Sequence, residues 1–579
     1  MKVLGISAFY HDAAACLADD GVIVAAAQEE RFTRIKNDPA FPLNAAHFCL
    51  QQGGLRAEDL DAVVFYEKPI IKFDRIVETF LAVAPRGFQS FHASFPLWMK
   101  DKLNVKKQLA IQLCQLGGTR GFWRERLRFS EHHLSHAASA FYPSPFQEAA
   151  VITLDGAGEW CTGSIWKGSG ARLERLAELQ FPHSLGLLYS AFTQYLGFRV
   201  NEGEYKVMGL AAYGQPRFTD LIKSQLVHIR DDGSFWLDMS YFDFTTGITM
   251  TNRRFHALFG EPPRSRNGVI SQLHKDIAHS IQKVTEEVIL AIARHARALT
   301  GVETLCMAGG VALNCSANGV LRRSELFGEI WIQPAAGDAG GAIGAALAYE
   351  YLSVPDRQRI HGKDGMQGAL LGPAHATCEI VAALQHLGLP HQVLAPEQML
   401  VRAAQALAEG KIIGWMQGRA EFGPRALGAR SILASAATSE MRDAINHRVK
   451  RREAFRPFAP SVLAEKAADW FVFSSSPYML FTCAPLTEVQ SQRIPAAVHI
   501  DGTSRVQTVA ADSHPVFHAL LQEYERITGV PVLLNTSFNV KDEPIVNAPE
   551  DAIRCMLSAG LDMLVMGNVI VENVVLHTA

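Results

Sequence analysis

The stretch SEHHLSHAASAFYPS places three histidines, His132, His133 and His136, within five positions. His132 and His136 are four residues apart, and on a helix that spacing sets both rings on one face. Asp155 ends the apolar run AAVITLD at a glycine turn, and Asp338 occupies a comparable turn, AAGDAGG. Two imidazoles and two carboxylates make a borderline-hard donor set suited to Fe(II), Mn(II) or Zn(II). Spacing alone leaves a plainer reading open, with a satisfied core histidine, a capping histidine and two turn aspartates. The HxxxH pattern here also lacks the glutamate of the HExxH metallopeptidases.

Glycine turns form a second signal. LDGAGEW, MAGGVALN and AAGDAGGAIGAAL each follow a strand-like run, and the last two open onto helical patterns. Backbone N–H groups at such turns bind phosphate. One turn of this kind is common, but three at successive strand ends, with GISAFYHDAA as a fourth, point to a nucleotide cleft.

The third signal is cationic. From Arg419 through the FRPF ending at Phe458 there are nine Lys/Arg against four Asp/Glu, a local excess of five in a chain of net charge −3. These basic residues are interleaved with Gly, Pro, Ala and Phe, unlike a solvated helix face. Arg425 follows a Gly-Pro turn, and Arg456 is held between Phe455 and Pro457-Phe458. Arginines fixed in this way suit bidentate capture of phosphate or carboxylate.

The elements that must position these groups alternate along the chain. KVLGISAF, GVIVAAAQEERF, DAVVFYE and AAVITLDGAG read as strands. The stretch from Ile270 to Gly301 has apolar residues at helical spacing, with Gly301 as a C-cap. ETLCMAGGVALNC and IWIQPAAGDAGGAIG each read as strand, glycine turn and helix start. The polar, Gly- and Pro-rich stretch 353–374 reads as a linker. It separates a unit spanning 1–352 from a second α/β unit spanning 375–579, in which KIIGWMQG and GVPVLLNTSFNV are strands. The expected architecture is α/β with chemistry at strand-to-helix turns.

Composition narrows the class of function. The 579 residues are 48% hydrophobic and 20% charged, as in a protein with sizeable cores. The near-neutral charge gives no global basic field for nucleic acid. No uncharged apolar window reaches the roughly 18 residues of a membrane span, and the N-terminus has no signal-peptide pattern. The nine cysteines are scattered, with no CxxC pair. Reduced thiols and a cytoplasmic location are expected.

HHLSHAASAFYPSPF, LDGAGEW, NEGEYKVMGLAAYG, GGVALNC, GDAGGAIGAAL, FGPRALGARSIL, FRPFAPSVL and LNTSFNVKDEPIV together resemble the NodU/CmcH-type O-carbamoyltransferases of natural-product tailoring and nodulation-factor biosynthesis. The resemblance implies an N-terminal actin/Hsp70-like unit akin to the TsaD enzyme and a C-terminal YrdC-like unit. It implies that the second forms carbamoyl-adenylate from carbamoyl phosphate and ATP, and that the first passes the carbamoyl group to an acceptor hydroxyl. The metal ligands would be His132, His136, Asp155 and Asp338, with Mg(II) a further option for the ion. Gly156, Gly309, Gly310 and Asn314 would line the nucleotide cleft of the same unit. His11 would be the base for the acceptor hydroxyl, and Lys36 a further active-site group. Arg425, Lys450, Arg456, Arg505 and Ser537 would hold carbamoyl phosphate and ATP, with Arg456 also catalytic. The expected partners are these two donors and a hydroxylated small molecule, with no nucleic acid and no membrane; a homodimer is one option for the assembly. One departure weakens the first loop: HDAAACL has no hydroxyl at Ala13, Ala14 or Ala15, so phosphate there would rely on backbone N–H groups and the metal. The alternatives are a sugar-kinase-like phosphotransferase on the actin fold and a non-catalytic sensor of carbamoyl phosphate or nucleotide. A second anion site argues against the kinase.

Overall fold

The computed structural model describes residues 1–88, 92, 104–354, 357–453, 455–473 and 475–573. Two compact units emerge. One joins Met1–Ala25 to Pro39–Gly365, and the other joins Ala26–Asp38 to Met366–Ala579. The segment Ala26–Asp38, which carries Lys36, therefore groups with the C-terminal unit and not with its sequence neighbours.

In the first unit, β1 (Lys2–Ser7), β2 (Ala14–Asp19), β3 (Val22–Gln28), β4 (Ala62–Phe65) and β5 (Leu127–Phe129) form a sheet in the order β3-β2-β1-β4-β5. Strand β1 runs antiparallel to β2 and parallel to β4, and β4 is parallel to β5. A second sheet is built from β6 (Glu148–Leu154), β7 (Cys161–Ser169) and β8 (Arg172–Gln180). A short hairpin, β9 (Val227–Ile229) with β10 (Phe235–Leu237), precedes its last two strands, β11 (Thr304–Ala308) and β12 (Glu329–Ile332). Its order, β12-β11-β6-β7-β8, repeats that of the first sheet: a three-strand meander with two parallel strands added beside its first strand. This doubled order is the actin-like arrangement. The central strands are buried on both faces, which suits runs such as VLGIS and AAVITL.

The small-residue helix Asp338–Ser353 packs against β1 and against the helix His132–Phe141. Its contacts leave no room for side chains. A Cβ at Gly344 would lie 1.6 Å from the Ser135 carbonyl oxygen, and one at Gly5 would lie 1.9 Å from that of Ala342. The glycines of DAGGAIG thus bring two functional helices together.

The far end of that helix carries a buried acid. Glu350 accepts the Gly21 N–H and lies 3.3 Å from Arg357. Burial outweighs Arg357 and raises its pKa to about 7 from 4.5. The folded chain thus retains a proton that the unfolded chain has released, so this contribution to stability is full below pH 4.5 and is lost as pH rises through about 7. Glu350→Gln should remove that dependence. Thermal melts of wild type and variant should diverge from acid to neutral pH by on the order of 2 kcal/mol. Parallel melting curves would contradict this account.

The second unit is organised by an eight-stranded sheet. Its strands are β13 (Gln392–Val393), β14 (Ile413–Met416), β15 (Arg430–Ser435) and β16 (Ala459–Leu463), then, after the two-residue pair β17 (Thr482–Cys483) and β18 (Ser504–Arg505), β19 (Gln507–Val509), β20 (Val532–Ser537), β21 (Met563–Met566) and β22 (Val569–Glu572). The order is β13-β22-β21-β14-β15-β20-β16-β19. Alternate residues feed opposite cores, as the two-residue period of a strand requires. Ile432, Ala434, Val532, Leu534, Leu564 and Met566 enter one, and Leu433, Leu533, Met563 and Val565 enter the other with Trp415 and Phe517.

Candidate functional site

The first cluster forms where parallel strands end. Strands β1, β4 and β5 of one sheet lead to His11, Tyr66 and His132, and β6, β11 and β12 of the other lead to Asp155, Gly309-Gly310 and Asp338. Carboxyl ends of parallel strands are where α/β folds build ligand sites.

The helical spacing of the histidines delivers what it predicts. The Nε2 atoms of His132 and His136 are 3.1 Å apart, and Asp155 Oδ2 is 3.1 Å from the first and 3.8 Å from the second. Asp338 Oδ1 is 3.8 Å from His132 Nε2 and 3.7 Å from His136 Nε2. One donor atom from each of the four residues lies within 4.8 Å of all the others. Metal bonds of about 2.1 Å place neighbouring donors roughly 3.0–3.4 Å apart; the pairs at 3.1 Å already meet this and those at 3.7–3.8 Å would close by only about 0.5 Å around a single divalent ion. The electrostatics of the set match. Burial alone would lower the His136 imidazole, but Asp155 and Asp338 raise its pKa to about 9. Burial would raise Asp155, yet His132 and His136 hold it well below the ordinary carboxylate range.

His133 is built differently. Its Nδ1 lies 2.7 Å from Thr153 Oγ1, and burial, reinforced by His132 and His136, pushes its pKa well down. It is a neutral, inward-facing ring and not a fifth donor.

His11 stands at the edge of the cluster with 23% of its side chain exposed. Its Nδ1 is 2.9 Å from Asp12 Oδ2 and its Nε2 is 3.8 Å from Asp338 Oδ2. Burial works against the charged ring, but Asp338 and Asp12 raise its pKa to about 9. Phe9 and Asp12, on either side of it, sit at φ 71° and 53°, a left-handed backbone that side chains seldom adopt. Tyr66 was not singled out from the sequence. Its hydroxyl donates to Asp338 Oδ2 at 3.3 Å, so Oδ1 is the oxygen that faces the histidines. The only signal for Tyr66 was its place at the end of β4.

Gly310 donates its N–H to Asp155 Oδ1 at 2.8 Å, and Gly309, at φ 91°, donates to the Ala336 carbonyl. Gly156 offers its carbonyl to Ser184 Oγ at 2.6 Å. Asn314 caps the helix Cys315–Arg323 and exchanges hydrogen bonds with Gln282, so its amide is engaged within the fold.

The second cluster lies in the other unit, and strand register assembles it. Pairing of Ser431 with Ser537 and of Ala459 with Asn535, both antiparallel, and of Ser461 with Gln507, parallel, brings four loops to one end of the sheet. Arg425 and Arg456 precede β15 and β16 at that end, Arg505 closes β18 just ahead of β19, and Ser537 is the last residue of β20. Lys450 ends the widened helical turn Ile445–Lys450. Its buried ammonium donates to the Ser537 carbonyl, to Asn539 Oδ1 at 2.8 Å and to the Asn539 carbonyl at 2.9 Å, with Ser537 Oγ at 3.3 Å. Burial, with Arg452, Arg456 and Lys36 nearby, holds its pKa well below the ordinary lysine value. Lys36 thus belongs with these cations, and His11 lies in the other unit. Asn539, two residues beyond Ser537, is a partner that the sequence reading missed.

The profile of a family described as Carbamoyltransferase N-terminus matches residues 2–347, and that of Carbamoyltransferase C-terminus matches residues 404–573. The chain belongs to the carbamoyltransferase family. It is 49% identical to the uncharacterized protein sll1178 of Synechocystis, across 99% of this chain and 96% of that one. It is 38% identical to nodulation protein NolNO of Sinorhizobium fredii, across 98% of this chain and 79% of that one. Nodulation protein NolO of Bradyrhizobium diazoefficiens is 39% identical, across 76% of this chain and 78% of that one.

This carbamoyltransferase therefore carries two chemically unlike clusters, one in each unit. One gathers imidazoles, carboxylates and glycine turns, which suits a metal, a nucleotide phosphate and proton transfer. The other gathers cations and a hydroxyl, which suits a small polyanion.

Proposed function

We propose that the second unit converts carbamoyl phosphate, ATP and water to carbamoyl-adenylate, phosphate and pyrophosphate. The first unit then transfers the carbamoyl group from the adenylate to a hydroxyl of a small natural-product acceptor, releasing AMP. The observation that supports this reading is that Lys450 is hydrogen-bonded to Ser537 within the field of Arg456 and Lys36, at the sheet end where the strands following Arg425 and Arg505 begin, in a unit separate from the His/Asp set. A sugar-kinase-like phosphotransferase has no use for a second anion site.

Each group has a task in this scheme. The fixed cations balance the carbamoyl phosphate dianion and the ATP phosphates and stabilise charge that moves onto leaving oxygens. Lys450, its N–H groups engaged by Ser537 and Asn539, acts through its charge and by holding Ser537 in place. Lys36, beside it, adds to the same field. In the first unit, His132, His136, Asp155 and Asp338 would hold a divalent ion, Fe(II) or else Mn(II), Zn(II) or Mg(II). Bound there, the ion supplies a Lewis acid for the adenylate phosphate. The side-chain-free turns at Gly156 and Gly309-Gly310 would let the nucleotide approach the backbone there, while the Gly310 N–H holds Asp155 in place. His11, with Asp12 on Nδ1, presents Nε2 toward the cluster; a cation held by Asp338 would offset the carboxylate charge that raises the His11 pKa, leaving Nε2 able to take the acceptor proton as the hydroxyl attacks the carbamoyl carbon.

The deciding assay supplies carbamoyl phosphate and ATP to the purified chain. Pyrophosphate release should require carbamoyl phosphate and proceed without acceptor. Adding a panel of hydroxylated natural products, with products read by mass, should yield carbamate esters and AMP. Phosphorylated acceptor formed without carbamoyl phosphate would replace this reading with the kinase one.

A further inference from the structure

We propose that Glu159 is a positioning residue that aims the two histidine donors through the backbone of the helix that carries them. The proposal rests on reading His132, His136, Asp155 and Asp338 as a metal set. The helix His132–Phe141 begins at Glu131, whose side chain makes no capping hydrogen bond. The Glu131 carboxylate is turned toward Lys68 Nζ, 3.0 Å away, and Arg175, 3.4 Å away. The cap comes instead from the turn after β6. Both carboxylate oxygens of Glu159, a residue only 7% exposed, lie 3.1 Å from the His132 N–H. One of them also accepts the Lys68 N–H at 2.7 Å. A single buried carboxylate therefore ties together the Asp155 turn, the start of the histidine helix and the segment that follows β4. Its charge also suits the positive end of a helix.

This tether matters because the usual one is missing. Metal-binding imidazoles ordinarily present their second nitrogen to a carboxylate or carbonyl that fixes the ring. Among the described residues, nothing hydrogen-bonds the buried Nδ1 of His132 or of His136. Ring direction must therefore follow from where the helix begins and from what the rings pack against. Glu159 sets the first, and for His132 its neighbour Gly158 contributes to the second. A Cβ on Gly158 would lie 3.0 Å from His132 Cβ and Cδ2 and 3.1 Å from His133 Cδ2. The Gly158 carbonyl is in turn held by Arg75 NH1 at 2.7 Å.

The test uses the full chain, stripped with chelator and titrated with Co(II), followed by visible absorption and calorimetry. Glu159→Ala should weaken Co(II) binding by about 10–100-fold and change the absorption bands. Glu159→Gln, whose amide oxygen still accepts the His132 N–H, should restore most of the affinity. Should the alanine variant fail to fold, Glu159→Asp, with a shorter arm, should show the same loss. Wild-type protein that takes up no Co(II) would overturn the metal reading, and the proposal with it. Wild type that binds Co(II), with the alanine or aspartate variant matching it in affinity and spectrum, would overturn the proposal alone.

Discussion

Alanine at Arg456 is expected to cut carbamoyl-phosphate-dependent pyrophosphate release by about 10²–10³-fold, the effect of removing one fixed donor from developing charge. The guanidinium is partly buried, with 21% of its side chain exposed, and Glu453 lies 3.9 Å away. It lies close enough to Lys450 to help depress that ammonium. Two cations held this close repel one another, and a bound dianion relieves that repulsion. The loss should therefore fall on both KM for carbamoyl phosphate and kcat. Circular dichroism should be unchanged, because the Arg456 carbonyl, which accepts from Asn446 Nδ2, survives the substitution. A fall of less than tenfold would remove Arg456 from the site.

Asparagine at His11 should have the opposite signature. Pyrophosphate release should stay within about twofold of wild type, while carbamate ester formation falls by about 10²–10⁴-fold, the range for a lost general base. Asparagine can still hydrogen-bond Asp12, so the left-handed turn from Phe9 to Asp12 should persist, but its amide cannot accept a proton. Coupled assays on one preparation read both steps. Equal loss of both steps in both variants, with folding intact, would show that the two clusters do not divide the reaction as proposed.

The sequence by itself determined whatever depends on local spacing. His132 and His136 converge because four residues make about one helical turn, and Asp155 and Asp338 project because strands end at glycine turns. Short apolar runs likewise marked the central strands of both units. What only the tertiary structure decided depends on partners from 27 to 511 residues apart. Lys36 changes units because Arg31 donates to the Gly423 carbonyl and Arg34 to those of Pro544 and Ile545, across separations of 392, 510 and 511 residues. Asn539 acquires its role because Lys450 reaches it across a fold, and Glu159 because the start of a helix 27 residues earlier returns to its carboxylate. A polar residue in a loop has the same local signature whether it faces water or a buried N–H group. Only chain closure, driven by burial of the cores between, settles which it meets.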